Sequence, residues 1–124
     1  MQNYNSKSKS DLKKRCFEFS LAIIAFIDTL PNKRAAWIIA DQLLRAAMSI
    51  GANLIEGGAA SSRLEYKKYY EIALKSANET KYWLCLLRES GLGEKERIQT
   101  LLDEATELAN MLAVGVMKLK RKTF

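Results

Sequence analysis

The stretch Asp11-Leu12-Lys13-Lys14-Arg15-Cys16-Phe17-Glu18-Phe19-Ser20-Leu21-Ala22-Ile23-Ile24-Ala25-Phe26-Ile27-Asp28-Thr29-Leu30 decides the fold class. Leu12, Cys16, Phe19, Ile23, Phe26, Ile27 and Leu30 follow one another mostly at steps of three and four, the repeat of one face of an α-helix. Ser10 or Asp11 can cap its start, and Pro31-Asn32 ends it, because proline cannot continue the hydrogen-bond ladder. Residues 1–9 are polar and basic without periodicity, so a frayed, disordered tail is expected there.

The same pattern recurs along the chain. The spacing predicts helices over about 10–30, 33–56, 62–90 and 93–121. In the second, Trp37, Leu44, Ala47, Met48, Gly51 and Ile55 form the main apolar face. Ile39, Leu43, Ile50 and Leu54 widen that face until only Gln42, Arg45, Ser49, Asn53 and Glu56 remain as a polar strip. A helix apolar nearly all round is covered nearly all round, so helix two is either the most central helix of the bundle or part of a subunit interface, with Ile39, Leu43, Ile50 and Leu54 as the interface residues in the second case. Gly57 fits a left-handed cap, and Ser62-Arg63-Leu64-Glu65 reads as a capping box for helix three. That helix carries Tyr66, Tyr69, Tyr70, Ala73, Ala77, Thr80, Leu84 and Leu87 on one face and ends at Ser90-Gly91. Ile98, Leu101, Ala105, Leu108, Leu112 and Leu119 mark the inner stripe of helix four.

The chain has 124 residues, 48% of them hydrophobic, with one proline and six glycines. This suits a single domain with a few long elements. Four helices of similar length joined by short loops make an all-α, up-and-down antiparallel four-helix bundle over residues 10–122. The two cysteines, Cys16 and Cys85, lie far apart and read as free thiols in a reducing compartment. The polar N-terminus does not read as a signal peptide, and no segment reads as a membrane span, so a cytoplasmic location is expected.

The formal net charge is +6. An up-and-down order gathers the excess at one pole: Lys13, Lys14 and Arg15 from helix one; Arg63, Lys67 and Lys68 from helix three; Lys118, Lys120, Arg121 and Lys122 from helix four. Lys7 and Lys9 hang nearby on the tail. The opposite pole, with Asp28, Lys33, Arg34, Arg88, Glu89, Glu94, Lys95, Glu96 and Arg97, is nearly balanced. A basic pole attracts phosphates. Tyr66, Tyr69 and Tyr70 begin helix three beside it; they are either bundle core or platforms on which bases stack.

Catalytic and metal signals are weak. The chain has no histidine, its cysteines are distant, and its carboxylates show no ligand spacing, so no metal or cofactor is expected. Gly57-Gly58 lacks the lysine of a phosphate-binding loop. One constellation remains: Arg45, Ser49, Asn53 and Glu56 align on helix two, and Ser76 and Glu79 share a flank of helix three. A buried network that fixes helix register is the plainer reading; an active site with Glu56 or Glu79 as base is the sharper one.

Gln42-Leu43-Leu44-Arg45-Ala46-Ala47-Met48-Ser49-Ile50-Gly51-Ala52-Asn53-Leu54-Ile55-Glu56-Gly57, then Ser62, Glu65-Tyr66, Tyr69 and Ile72-Ala73-Leu74-Lys75-Ser76-Ala77-Asn78-Glu79, resemble the signature of a bacterial four-helix-bundle family encoded in intervening sequences of large-subunit ribosomal RNA genes. The similarity runs from about Lys13 to Lys120, with departures at Ala52, Leu54 and Gly58-Ala59-Ala60. The resemblance implies a ring-like homopentamer without enzymatic activity. It also points to a related branch, the accessory variability proteins of diversity-generating retroelements, which bind RNA or DNA and associate with a reverse transcriptase. Two functions compete: a nucleic-acid-binding ring and a protein-interaction scaffold without a nucleic-acid role.

Overall fold

The computed structural model describes residues 4–121, with side chains from residue 11 onward. It has four helices: α1 (Tyr4–Ile27), α2 (Arg34–Gly58), α3 (Arg63–Ser90) and α4 (Lys95–Arg121), with no strand among the described residues. Each helix packs on the next and α4 closes back on α1. The directions alternate: Cys16 of α1 meets Gly51 of α2, Gly57 of α2 meets Tyr66 and Tyr69 of α3, and Gly115 of α4 meets Tyr70 of α3. This is the expected antiparallel bundle. Its core holds Ile23 and Phe26 from α1, Leu43 and Ile50 from α2, Leu84 and Leu87 from α3, and Ile98, Leu108 and Leu112 from α4.

The helix ends follow local chemistry. The α1 helix begins at Tyr4, across the segment expected to fray, where no proline or glycine interrupts the ladder. It stops at Ile27, short of Leu30: Pro31 has no amide to bond the Ile27 carbonyl, and its ring would clash with that carbonyl in a continued helix. Thr29 fills the turn, its Oγ1 donating to the Phe26 carbonyl at 2.6 Å. Ser62 caps α3 as expected, its Oγ accepting from the Glu65 amide at 3.1 Å. The return bond lands one residue early, on the Ser61 amide at 3.4 Å. Gly91 closes α3 in the left-handed conformation at φ 72°, and the Leu92 amide reaches back to the Leu87 carbonyl at 3.2 Å, a Schellman ending.

Gly57 corrects its expected role. It is helical and buried, and α2 continues to Gly58. A Cβ added at Gly57 would lie 3.2 Å from the Tyr69 Cβ and 3.3 Å from the Tyr66 ring, so the missing side chain brings α2 close to α3 instead of reversing the chain.

The two apolar stripes of α2 are exchanged in part, since Ala47 of the expected inner face is buried in the core and Leu44 packs against it. Leu43, Ile50 and Leu54, expected at a subunit interface, are core residues of one chain, and Ile39 packs against that core. Trp37, Met48 and Ile55, read as the inward face, are 60%, 44% and 62% exposed. Ala47 and Gly51 sit at the border, small enough for α1 to approach there. The outward stripe of α2 leans toward α1, whose own outward residues Phe17, Leu21 and Ile24 are exposed too. One apolar surface therefore runs along the α1–α2 seam. By length and mean hydropathy α2 is apolar enough to cross a membrane, although Asp41 and Arg45 interrupt it; in the bundle its inner stripe is buried against α1 and α3.

Candidate nucleic-acid interface

The antiparallel order brings the start of α1, the end of α2, the start of α3 and the end of α4 to one pole. Lys13 approaches the end of α2, where its Nζ would lie 3.3 Å from a Cβ at Gly58. Lys14, Arg63, Lys68, Lys118, Lys120 and Arg121 are exposed around it, and Lys67 is half-buried. Lys122 and the tail lysines Lys7 and Lys9 lie outside the described side chains. Asp11, Glu56 and Glu65 share this pole and reduce its excess, although Glu65 is engaged in the cap.

Arg15 leaves the basic set. Its guanidinium grips Glu104 of α4 with two bonds, Nε to Oε2 at 3.0 Å and Nη2 to Oε1 at 2.6 Å, and lies 3.4 Å from Glu107. The hydrogen bonds to Glu104 raise its pKa above the ordinary arginine value. A guanidinium held in this fork is a tie between helices, not a free phosphate ligand.

Between the basic residues lies a cleft of about 1070 Å³. Leu12, Tyr66, Tyr70, Met111 and Val114 form its walls, and Arg63, Lys118 and Arg121 stand at its rim. No carboxylate lines it among the described residues. The Tyr70 ring rests on Gly115, where an added Cβ would fall 2.3 Å from Cε2. Tyr66 meets Tyr70 edge to face, with ring centroids 5.4 Å apart. Burial, and then the neighbouring Tyr66, push the Tyr70 hydroxyl up to about 12. The tyrosines thus serve both as core and as cleft wall. Leu12, Met111, Val114 and Gly115 were missed as site residues because they continue ordinary helical stripes. Gly115, a glycine in mid-helix with no turn around it, was the one signal available.

The polar constellation forms only in its middle. Asn53 Nδ2 donates to the Ser49 carbonyl at 2.7 Å and to Ser49 Oγ at 2.9 Å, and Ser76 Oγ donates to Ser49 Oγ at 2.9 Å, joining α2 to α3. Arg45 and Glu56 point outward and stay apart from it. Glu79 accepts instead from the Trp83 indole on its own helix at 2.9 Å. Asn53, Ser49 and Ser76 spend these hydrogen bonds on one another and on the backbone, which fits a register-fixing contact. Among the described residues no group of three or more cysteines and carboxylates is arranged to hold a metal.

Comparison with known proteins places this geometry. No curated protein matches the chain. A crystal structure of a protein with unknown function from the S23 ribosomal protein family of Bacteroides thetaiotaomicron VPI-5482 is similar, with a TM-score of 0.79 and 33% sequence identity over 85% of this chain and 97% of that one. The family model for 23S rRNA-intervening sequence proteins matches residues 8–114, and the chain belongs to that family.

Proposed function

We propose that this protein is a non-catalytic, ring-forming accessory protein that binds RNA or DNA through its basic pole with low sequence specificity. The observation that carries this reading is the cationic rim of Arg63, Lys118 and Arg121 around a cleft with no carboxylate among its described lining residues, extended by Lys13, Lys14, Lys67 and Lys68. Lysine and arginine side chains grouped in this way release counterions when they meet phosphates, and no base-reading module accompanies them. Self-association is supported by the apolar α1–α2 seam, which a single chain leaves in water; the pentameric ring size comes from the family resemblance. The protein acts in the cytoplasm, with a reverse transcriptase or a ribosomal-RNA-associated protein as its partner.

The test is a titration of labelled structured RNA and duplex DNA at several salt concentrations. Log affinity should fall linearly with log salt, and charge reversal at Lys118, Lys120 and Arg121 should flatten that slope. Absence of binding at low salt would defeat the proposal. The second reading, a homo-oligomeric scaffold without a nucleic-acid role, would then stand on the seam alone.

A further inference from the structure

We infer that the cleft at the basic pole receives an unpaired nucleobase, so that the protein selects single-stranded or looped nucleic acid over duplex; this rests on the nucleic-acid reading above. The walls and the rim of the cleft ask for different chemistry. The walls are apolar and aromatic, with Tyr66 half-buried and open to the cavity and Val114 exposed on the α4 side. Such a space takes a flat body with a π-face. The rim carries Arg63 from α3 and Lys118 and Arg121 from α4, with no carboxylate among the described lining residues, and so asks for an anion at the mouth. A nucleotide joins these two requirements in one covalent unit.

The space is adequate. About 1070 Å³ lies at the upper end of small-molecule sites, roughly 300–1,000 Å³. The platform is also pre-formed. Gly115 lets the edge of the Tyr70 ring come close to α4, Gly57 lets Tyr66 close on α2, and the two rings brace each other edge to face. A rigid aromatic wall loses little entropy when a base stacks on it. Paired bases are already stacked within a duplex and cannot enter a cleft of this kind, whereas those of a single strand can. The cations continue past the mouth through Lys13, Lys67 and Lys68, which suits a chain of phosphates better than one lipid headgroup.

The test uses the full chain with a single-stranded oligonucleotide carrying 2-aminopurine, and with the same sequence as a duplex. The expected result is at least about 10-fold tighter binding of the single strand at equal salt, with quenching of the fluorescent base. Tyr66→Ala should lose on the order of 10-fold affinity for the single strand alone and abolish the quench, while Tyr66→Phe should keep both. If Tyr66→Ala does not fold, Val114→Gln, a neutral polar change on an exposed wall, should produce the same selective loss. Equal affinity for both strand forms, with neither variant changing it while charge reversal weakens both, would overturn the cleft and leave phosphate binding intact. Binding of phosphatidylglycerol vesicles that depends on Tyr66 and displaces the oligonucleotide without quenching would also overturn it, in favour of a lipid. Failure to bind any nucleic acid or vesicle would defeat the broader reading together with this one.

Discussion

Gly115 and Gly58 are both helical, and their surroundings predict opposite responses to a methyl group. At Gly115 a Cβ would fall 2.3 Å from the Tyr70 ring, which could yield only by swinging toward the cleft and giving up its contact with Tyr66. Gly115→Ala should therefore lower stability by about 1–3 kcal/mol through overpacking, read as a lower urea midpoint. At Gly58 the nearest atom is the mobile Lys13 ammonium at 3.3 Å. Gly58→Ala should stay within about 0.5 kcal/mol of the parent and fall on the stabilising side, since alanine is the better helix former. Arg15 teaches a related lesson about what a sequence reveals. Its charge was legible, but its commitment to Glu104 was not, because the partner lies 89 positions away and only the folded bundle brings the two together.

Among the elements, α1 was nearly transparent and α2 was not. A stripe of Leu12, Cys16, Phe19, Ile23 and Phe26 has one plausible inner side, and all five are buried. In α2 apolar residues cover so much of the circumference that hydrophobicity cannot choose between neighbouring stripes. The choice falls to shape: Gly51 and Ala47 admit α1, and the bulkier Trp37, Met48 and Ile55 turn outward. That outward stripe carries its own prediction. Trp37→Glu and Ile55→Glu, alone or combined, should leave helicity and cooperative unfolding intact, since both side chains are exposed in one chain, while reducing the molar mass measured by light scattering. Unchanged mass would remove the seam from the assembly.

The whole molecule should weaken in alkali. Burial, aided by the nearby Glu104, pushes the Cys16 thiol up to about 12 from an ordinary value of 9.0, and Tyr70 rises to about 12 from 10.0. In both cases the folded protein holds a proton that the unfolded chain releases sooner. The stability these groups contribute is thus complete below about pH 9 and is lost as pH climbs toward 12. Unfolding free energy measured across that interval should fall, and Tyr70→Phe or Cys16→Ala should make the decline shallower.

Cohesion within the bundle is unequal. The contacts of α3 with α2 and α4 are more extensive than those of α1 with either neighbour, and the fork of Arg15 on Glu104 is a polar tie between α1 and α4. The helix nearest the N-terminus should therefore detach as a subglobal unit before the other three separate. Cys16, 1% exposed on the inner face of α1, serves as the clock for that event. A thiol reagent added to native protein should modify the half-buried Cys85 promptly and Cys16 only at the frequency with which α1 lifts away. Arg15→Met should quicken the Cys16 reaction well before it shifts the midpoint for global unfolding.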